Sequence, residues 1–87
     1  MDAKMERVIE LSKQLQEAVN ECECVLAVNV EESNSCIKSQ IHIRKPERAG
    51  VGPMTFEREN PEYGQKWYYN DDHGIRIVGA IYEEGKF

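Results

Sequence analysis

The stretch from Cys24 to Arg44 reads CVLAVNVEESNSCIKSQIHIR. Two runs, Cys24–Glu31 and Cys36–Arg44, alternate with a period of two. Between them stands Glu32-Ser33-Asn34-Ser35, which is turn chemistry. This is the pattern of a β-hairpin with one buried face. Pairing Glu31 with Cys36 sets Cys24 opposite Ile43, Leu26 opposite Ile41, Val28 opposite Ser39 and Val30 opposite Ile37. All but Ser39 are apolar and share one face, and a one-residue slip would send each to the other side. Val25, Ala27, Lys38, Gln40, His42 and Arg44 then point outward.

Upstream, Met5, Val8, Leu11, Leu15, Val19 and Cys22 recur at three- and four-residue spacing over residues 2–21, with Ile9 widening the stripe. This predicts one amphipathic helix with Asp2 as its N-cap. Such a stripe needs an apolar surface, and the hairpin face supplies one.

Downstream, Lys66–Asn70 and Ile75–Glu83 flank Asp71-Asp72-His73-Gly74 and predict a second hairpin. Pairing Asp71 with Ile75 sets Tyr69 opposite Ile77 and lays Trp67 over Gly79, an aromatic on a cross-strand glycine. Ile75, Ile77 and Ile81 then face the helix, whereas Tyr68, Arg76, Val78, Ala80 and Tyr82 face away. Residues 45–64, with three prolines and three glycines, read as a long mobile loop. Twenty structureless residues are unusual in a compact domain, so Met54–Arg58 is expected to form a short edge strand.

The expected fold is therefore a single α+β domain over residues 1–87. One N-terminal amphipathic helix packs on one face of a four-stranded, or with the edge strand five-stranded, antiparallel sheet built from two hairpins. Strand order is left open. The length, 87 residues and 10.0 kDa, suits one core.

The charge is −5, unevenly spread: −5 over residues 1–32, +2 over 33–66 and −2 over 67–87. An acidic chain is a poor general ligand for nucleic acid, because phosphate affinity comes mainly from counterion release. The middle segment is the exception, with Lys38, Arg44, Lys45 and Arg48 beside His42. No run approaches the ~20 apolar residues of a membrane span, and Met1–Arg7 has no apolar signal core. The expected setting is cytoplasmic. Three cysteines, an odd number, suit a reducing compartment better than a disulfide framework.

Catalytic chemistry finds little footing. In the expected register Cys24 and Cys36 sit at opposite ends of the hairpin, about 23 Å apart at ~3.3 Å per residue, too far for a shared zinc or a disulfide. Gly50-Val51-Gly52 lacks the strand–turn–helix frame and following Lys of a phosphate loop. Asp71, Asp72 and His73 form a turn with no nucleophile placed beside them. No metal and no cofactor is expected.

Function is thus expected to be non-catalytic. The outer sheet face, with Val25, Tyr68, Arg76, Val78 and Tyr82, combines aromatics, aliphatics and an arginine, the residue types that dominate binding surfaces. With the 45–64 loop it is expected to bind a protein partner or a second copy as a homodimer, in the manner of a phage- or prophage-type accessory or inhibitor. The alternative is a nucleic-acid or nucleotide-binding module using the basic rim, Lys38, His42, Arg44, Lys45 and Arg48. A third variant has the acidic helix face, Glu6, Glu10, Glu17 and Glu21, imitating phosphates.

Overall fold

A computed structural model describes residues 1–46 and 49–82. Helix α1 (Ala3–Glu21) is followed by β1 (Val25–Asn29), β2 (Gln40–Ile43), β3 (Thr55–Asn60), β4 (Gln65–Asn70) and β5 (Arg76–Tyr82). The five strands form one sheet in the order β1-β2-β5-β4-β3. The α+β class stands, but the sheet is mixed. β1–β2, β3–β4 and β4–β5 are antiparallel hairpin pairs, whereas β2 and β5 run parallel at the centre. The expected edge strand is β3, two residues longer at its C-terminal end than Met54–Arg58.

Asp2 caps α1 through its Oδ1, which accepts hydrogen bonds from the backbone N–H groups of Lys4 (2.6 Å) and Met5 (3.2 Å). At the other end the chain leaves the helix at Cys22 in an extended conformation and turns directly into β1.

Both expected registers shift. In β1–β2, Val28 faces Ile41 and Asn29 faces Gln40, while a bulge at Leu26 sets Val25, in place of the expected Cys24, opposite Ile43. The ladder stops there because the Ser39 hydroxyl takes over, accepting from the Glu31 N–H at 2.8 Å. Val28 and Ile41 keep a common face because the pairing moved by an even step. In β4–β5 the step is odd. Asn70 pairs with Ile77, Tyr69 with Val78, Tyr68 with Gly79 and Trp67 with Ala80. Tyr68, not Trp67, is the aromatic opposite the glycine, and the two faces of β4 exchange.

The cause is Asn70, the buried polar residue of the sheet. Its Oδ1 accepts from the Asp72 N–H at 2.9 Å and its Nδ2 donates to the Pro53 carbonyl at 2.9 Å. The first bond starts the turn at Asn70, one residue earlier than Asp71, and Gly74 closes it in the left-handed region at φ 80°.

The second bond ties down the connection from β2 to β3, which crosses the face carrying Ile43, Ile77, Gly79 and Tyr68. Pro46 sits on Gly79, where a Cβ would lie 3.0 Å from Pro46 Cβ and 3.1 Å from the Ile43 carbonyl oxygen. Met54, Pro46, Gly50 and Gly52 line an open recess of about 600 Å³ on this face together with Tyr68 and Ile81. His73 holds the same connection, its Nε2 lying 2.6 Å from the Val51 carbonyl. The core is small: Ile43, Ile77 and Val78 are its buried hydrophobic members.

This overturns the placement of the helix. The connection covers the sheet face, and the one strand that α1 contacts substantially is β1. No α1 residue is buried. The radius of gyration, 15.3 Å, exceeds the ~12 Å expected for a compact chain of this length. Among the described residues no helix is long and apolar enough to cross a membrane.

Two substitutions test this packing by urea unfolding. Gly79→Ala is expected to cost about 1–3 kcal/mol, since its methyl meets backbone as well as side chain. Asn70→Leu is expected to cost about 1–3 kcal/mol by leaving two backbone groups unpaired. A loss below the error of the measurement at either site would contradict the crossing.

Candidate interaction site on the uncovered sheet face

Residues paired across neighbouring strands share a face. Opposite the covered face, the rows therefore read Ala27–His42–Val78–Tyr69–Thr55, then Ala80–Trp67–Arg58, with Gln40–Arg76 at one end and Tyr82–Gln65–Asn60 at the other. A bulge between Phe56 and Arg58 aligns Arg58 with Trp67. Among the described residues no strand or helix packs over the Trp67 and Tyr69 part of these rows.

Trp67 is the centre of the layer. The His42 ring meets it edge-on, with centroids 6.4 Å apart and planes at 76°. The Arg58 guanidinium lies 5.3 Å from its centroid on the other side. His42 Nε2 also sits 3.2 Å from Gln40 Oε1. A parallel arrangement stands one row over, where the Arg76 guanidinium lies 4.4 Å from the Tyr69 centroid. Arg76 is fixed by a bidentate pair with Asp71, at 2.8 Å from Nε and 2.7 Å from the terminal nitrogen. These bonds hold the Asp71 carboxyl below its usual pKa and raise that of Arg76.

Beside Trp67 a cleft of about 320 Å³ opens at the end of β2 and β5, lined from this face by His42, Ala80 and Tyr82, from the other by Ile43 and Ile81, and by Leu26, Arg44 and Lys45. Tyr82 is steadied by Gln65, whose Nε2 donates to its hydroxyl at 3.2 Å. The lining is apolar and aromatic with cationic edges. It can hold a flat or apolar side chain next to an acidic group.

Of the residues singled out in the sequence, Arg76, Val78 and Tyr82 lie on this face, with Val78 buried among its neighbours. Val25 and Tyr68 do not. Val25 pairs with Ile43 on the covered side, and Tyr68 lies there edge-on to Phe56 at 5.8 Å. Trp67, Tyr69 and Arg58 take their place. The one-residue register step hid the two aromatics, and Arg58 fell inside a stretch read mostly as loop.

The basic rim does not form one cluster. Lys38 lies beyond one end of β2, near Asp71 and Arg76, whereas Arg44 and Lys45 lie beyond the other. Six residues of extended chain separate Lys38 from Arg44 by about 20 Å. His42 is engaged with Trp67 and Gln40 between them, and Arg48 lies outside the described residues. Cys22, Cys24 and Cys36 are free thiols. Among the described residues no group of three or more His, Cys, Asp or Glu side chains converges as metal ligands would.

Comparison of the chain with protein-family models, with curated proteins and with solved structures gives no significant match.

The Asp71–Arg76 pair makes a pH prediction. A carboxylate whose folded pKa is depressed contributes stability that is present above its unfolded pKa and lost as pH falls through the folded one. The Asp71 carboxyl, followed by NMR, is expected to titrate below the usual aspartate value of ~3.9. In Arg76→Gln its midpoint is expected to rise toward that value. An unshifted midpoint in the unaltered protein would contradict the pairing.

Proposed function

We propose that this chain is a small non-catalytic interaction protein that binds a protein partner through its uncovered sheet face. The observation that carries this reading is the pair of aromatics, Trp67 and Tyr69, each flanked by an arginine and covered by no other element among the described residues. Trp, Tyr and Arg dominate the energetics of protein interfaces. They arrive here pre-positioned by strands, so little side-chain entropy is lost on binding. The cleft beside Trp67 offers a pocket for an anchoring side chain, and Arg44, Lys45 and Arg58 favour a partner segment with acidic character. Of the 45–64 segment, Lys45, Thr55, Arg58 and Asn60 join this surface, whereas Gly50, Gly52 and Met54 belong to the opposite side. Such a surface suits an accessory or inhibitor that docks on a protein. Its free thiols suit a reducing, cytoplasmic setting.

Affinity capture with the tagged chain, in the presence of nuclease, tests the reading. A stoichiometric protein is expected with the unaltered chain and with Phe56→Ala, which alters the opposite face. The Trp67→Ala, Arg58→Ala double variant is expected to bind that protein at least about tenfold more weakly, or ~1.4 kcal/mol. Full recovery by a folded double variant would remove the sheet face as the site. Recovery that disappears with nuclease would favour the nucleic-acid alternative through Arg44 and Lys45.

A further inference from the structure

Helix α1 presents an apolar stripe that none of the other described elements covers. Met5, Val8, Leu11 and Leu15 are 52, 56, 49 and 38% exposed. The stripe runs on into a recess of about 470 Å³ between the end of the helix and β1, lined by Leu15, Val19, Leu26 and Val30 with Ser12 and Gln16 as polar members. Leu26 and Val30 are themselves exposed. Together these side chains form one continuous apolar face, on the order of 500 Å², at the upper end of what monomers leave uncovered.

We propose that the occupant is the same helix of a second copy, packed antiparallel in a two-fold dimer. Three features of the chain point to this occupant. Within α1 the stripe follows a heptad, with Met5, Ser12 and Val19 at one seam position and Val8 and Leu15 at the other. Antiparallel packing sets Val8 against Val19 of the second copy and Ser12 against its Leu15. Val8 of the second copy thereby reaches the recess beside β1, which Val19 lines and which the described residues of one chain leave open.

The charges agree with that direction. Residues 3–13 carry three cations and two carboxylates, whereas residues 14–23 carry three carboxylates and no cation. In a parallel pair the acidic halves would repel. In an antiparallel pair each lies beside the more basic half of the other helix. The last turn of α1 carries no basic residue, so its C-terminal dipole also lacks a compensating charge until Lys4 and Arg7 of the second copy approach. Ile9, Leu11, Gln16 and Ala18, which border the seam, are uncharged and raise no barrier to contact.

The area is consistent too. Two such faces bury about 1,000 Å² of apolar surface, and with their polar borders they reach the ~1,200–2,000 Å² of a stable interface. The contact is isologous and therefore closes at two copies.

Sedimentation equilibrium of the full chain at tens of micromolar is expected to give twice the 10.0 kDa chain mass. Leu11→Glu is expected to give the monomer, with Trp67 fluorescence unchanged, since Leu11 contributes nothing to the sheet core. Cross-linking fixes the direction. In a background with Cys22, Cys24 and Cys36 changed to serine, chains carrying Val8→Cys are mixed with chains carrying Val19→Cys. Disulfide-linked pairs are expected from the mixture and not from either chain alone. A monomer from the unaltered chain would overturn the proposal. So would a dimer indifferent to Leu11→Glu, or pairs linked by either cysteine chain alone. None of these outcomes depends on the sheet face, so this proposal and the preceding one fail separately.

Discussion

The buried side chain of Asn70 is the constraint on which the rest of the sheet depends. One amide makes two bonds, to the Asp72 N–H and to the Pro53 carbonyl. The first sets where the β4–β5 turn begins and therefore which residues share a face. The second holds the β2–β3 connection down on the sheet. A buried amide must satisfy both its ends, because each unpaired group costs about 1–3 kcal/mol. Register and covering are thus coupled through one residue. With Tyr68 opposite Gly79, the glycine leaves room for Pro46, and the connection closes over Ile43 and Ile77. The face left open is the one that holds Trp67 and Tyr69.

The same arrangement explains why the helix has so little to do within its own chain. A sheet face can be covered once. Here the connection takes the apolar side, and the opposite side is a layer of aromatics, arginines and His42 with hydrogen-bonding tips. The stripe of α1 is left with the edge at β1. A 19-residue helix in this position gains little from tertiary packing, which is normally its main source of stability. Two surfaces therefore remain open at different places on one small chain, an aromatic sheet face and an aliphatic helix stripe. Their chemistries differ enough to serve different contacts.

Much of this architecture is legible in the sequence where periodicity and local chemistry agree. The helix and its Asp2 cap follow from spacing and one side chain. Alternation marks β1, β2, β4 and β5, and the edge strand follows from the length of the segment it interrupts. What alternation does not carry is the pairing between strands. Tyr68 and Trp67 are both aromatic, and both Asp71 and Asn70 can open a turn, so neighbouring registers look alike until the amide of Asn70 is seen to reach Pro53. The parallel β2–β5 contact is invisible for the same reason, since nothing local in Gln40–Ile43 states which strand lies on its far side. The candidate site inherits these ambiguities. Arg76, Val78 and Tyr82 are found because their strand alternates cleanly, whereas Trp67, Tyr69 and Arg58 depend on pairings that a single strand does not reveal.

The β4–β5 register decides which aromatics stay on the open face, and backbone NOEs from uniformly labelled protein report it directly. Cross-strand contacts are expected between Tyr68 and Gly79 and between Asn70 and Ile77, with the Tyr68 ring in contact with Met54. Contacts pairing Trp67 with Gly79 and Tyr69 with Ile77 instead would contradict it. They would return Tyr68 to the open face and remove the basis of the proposed site.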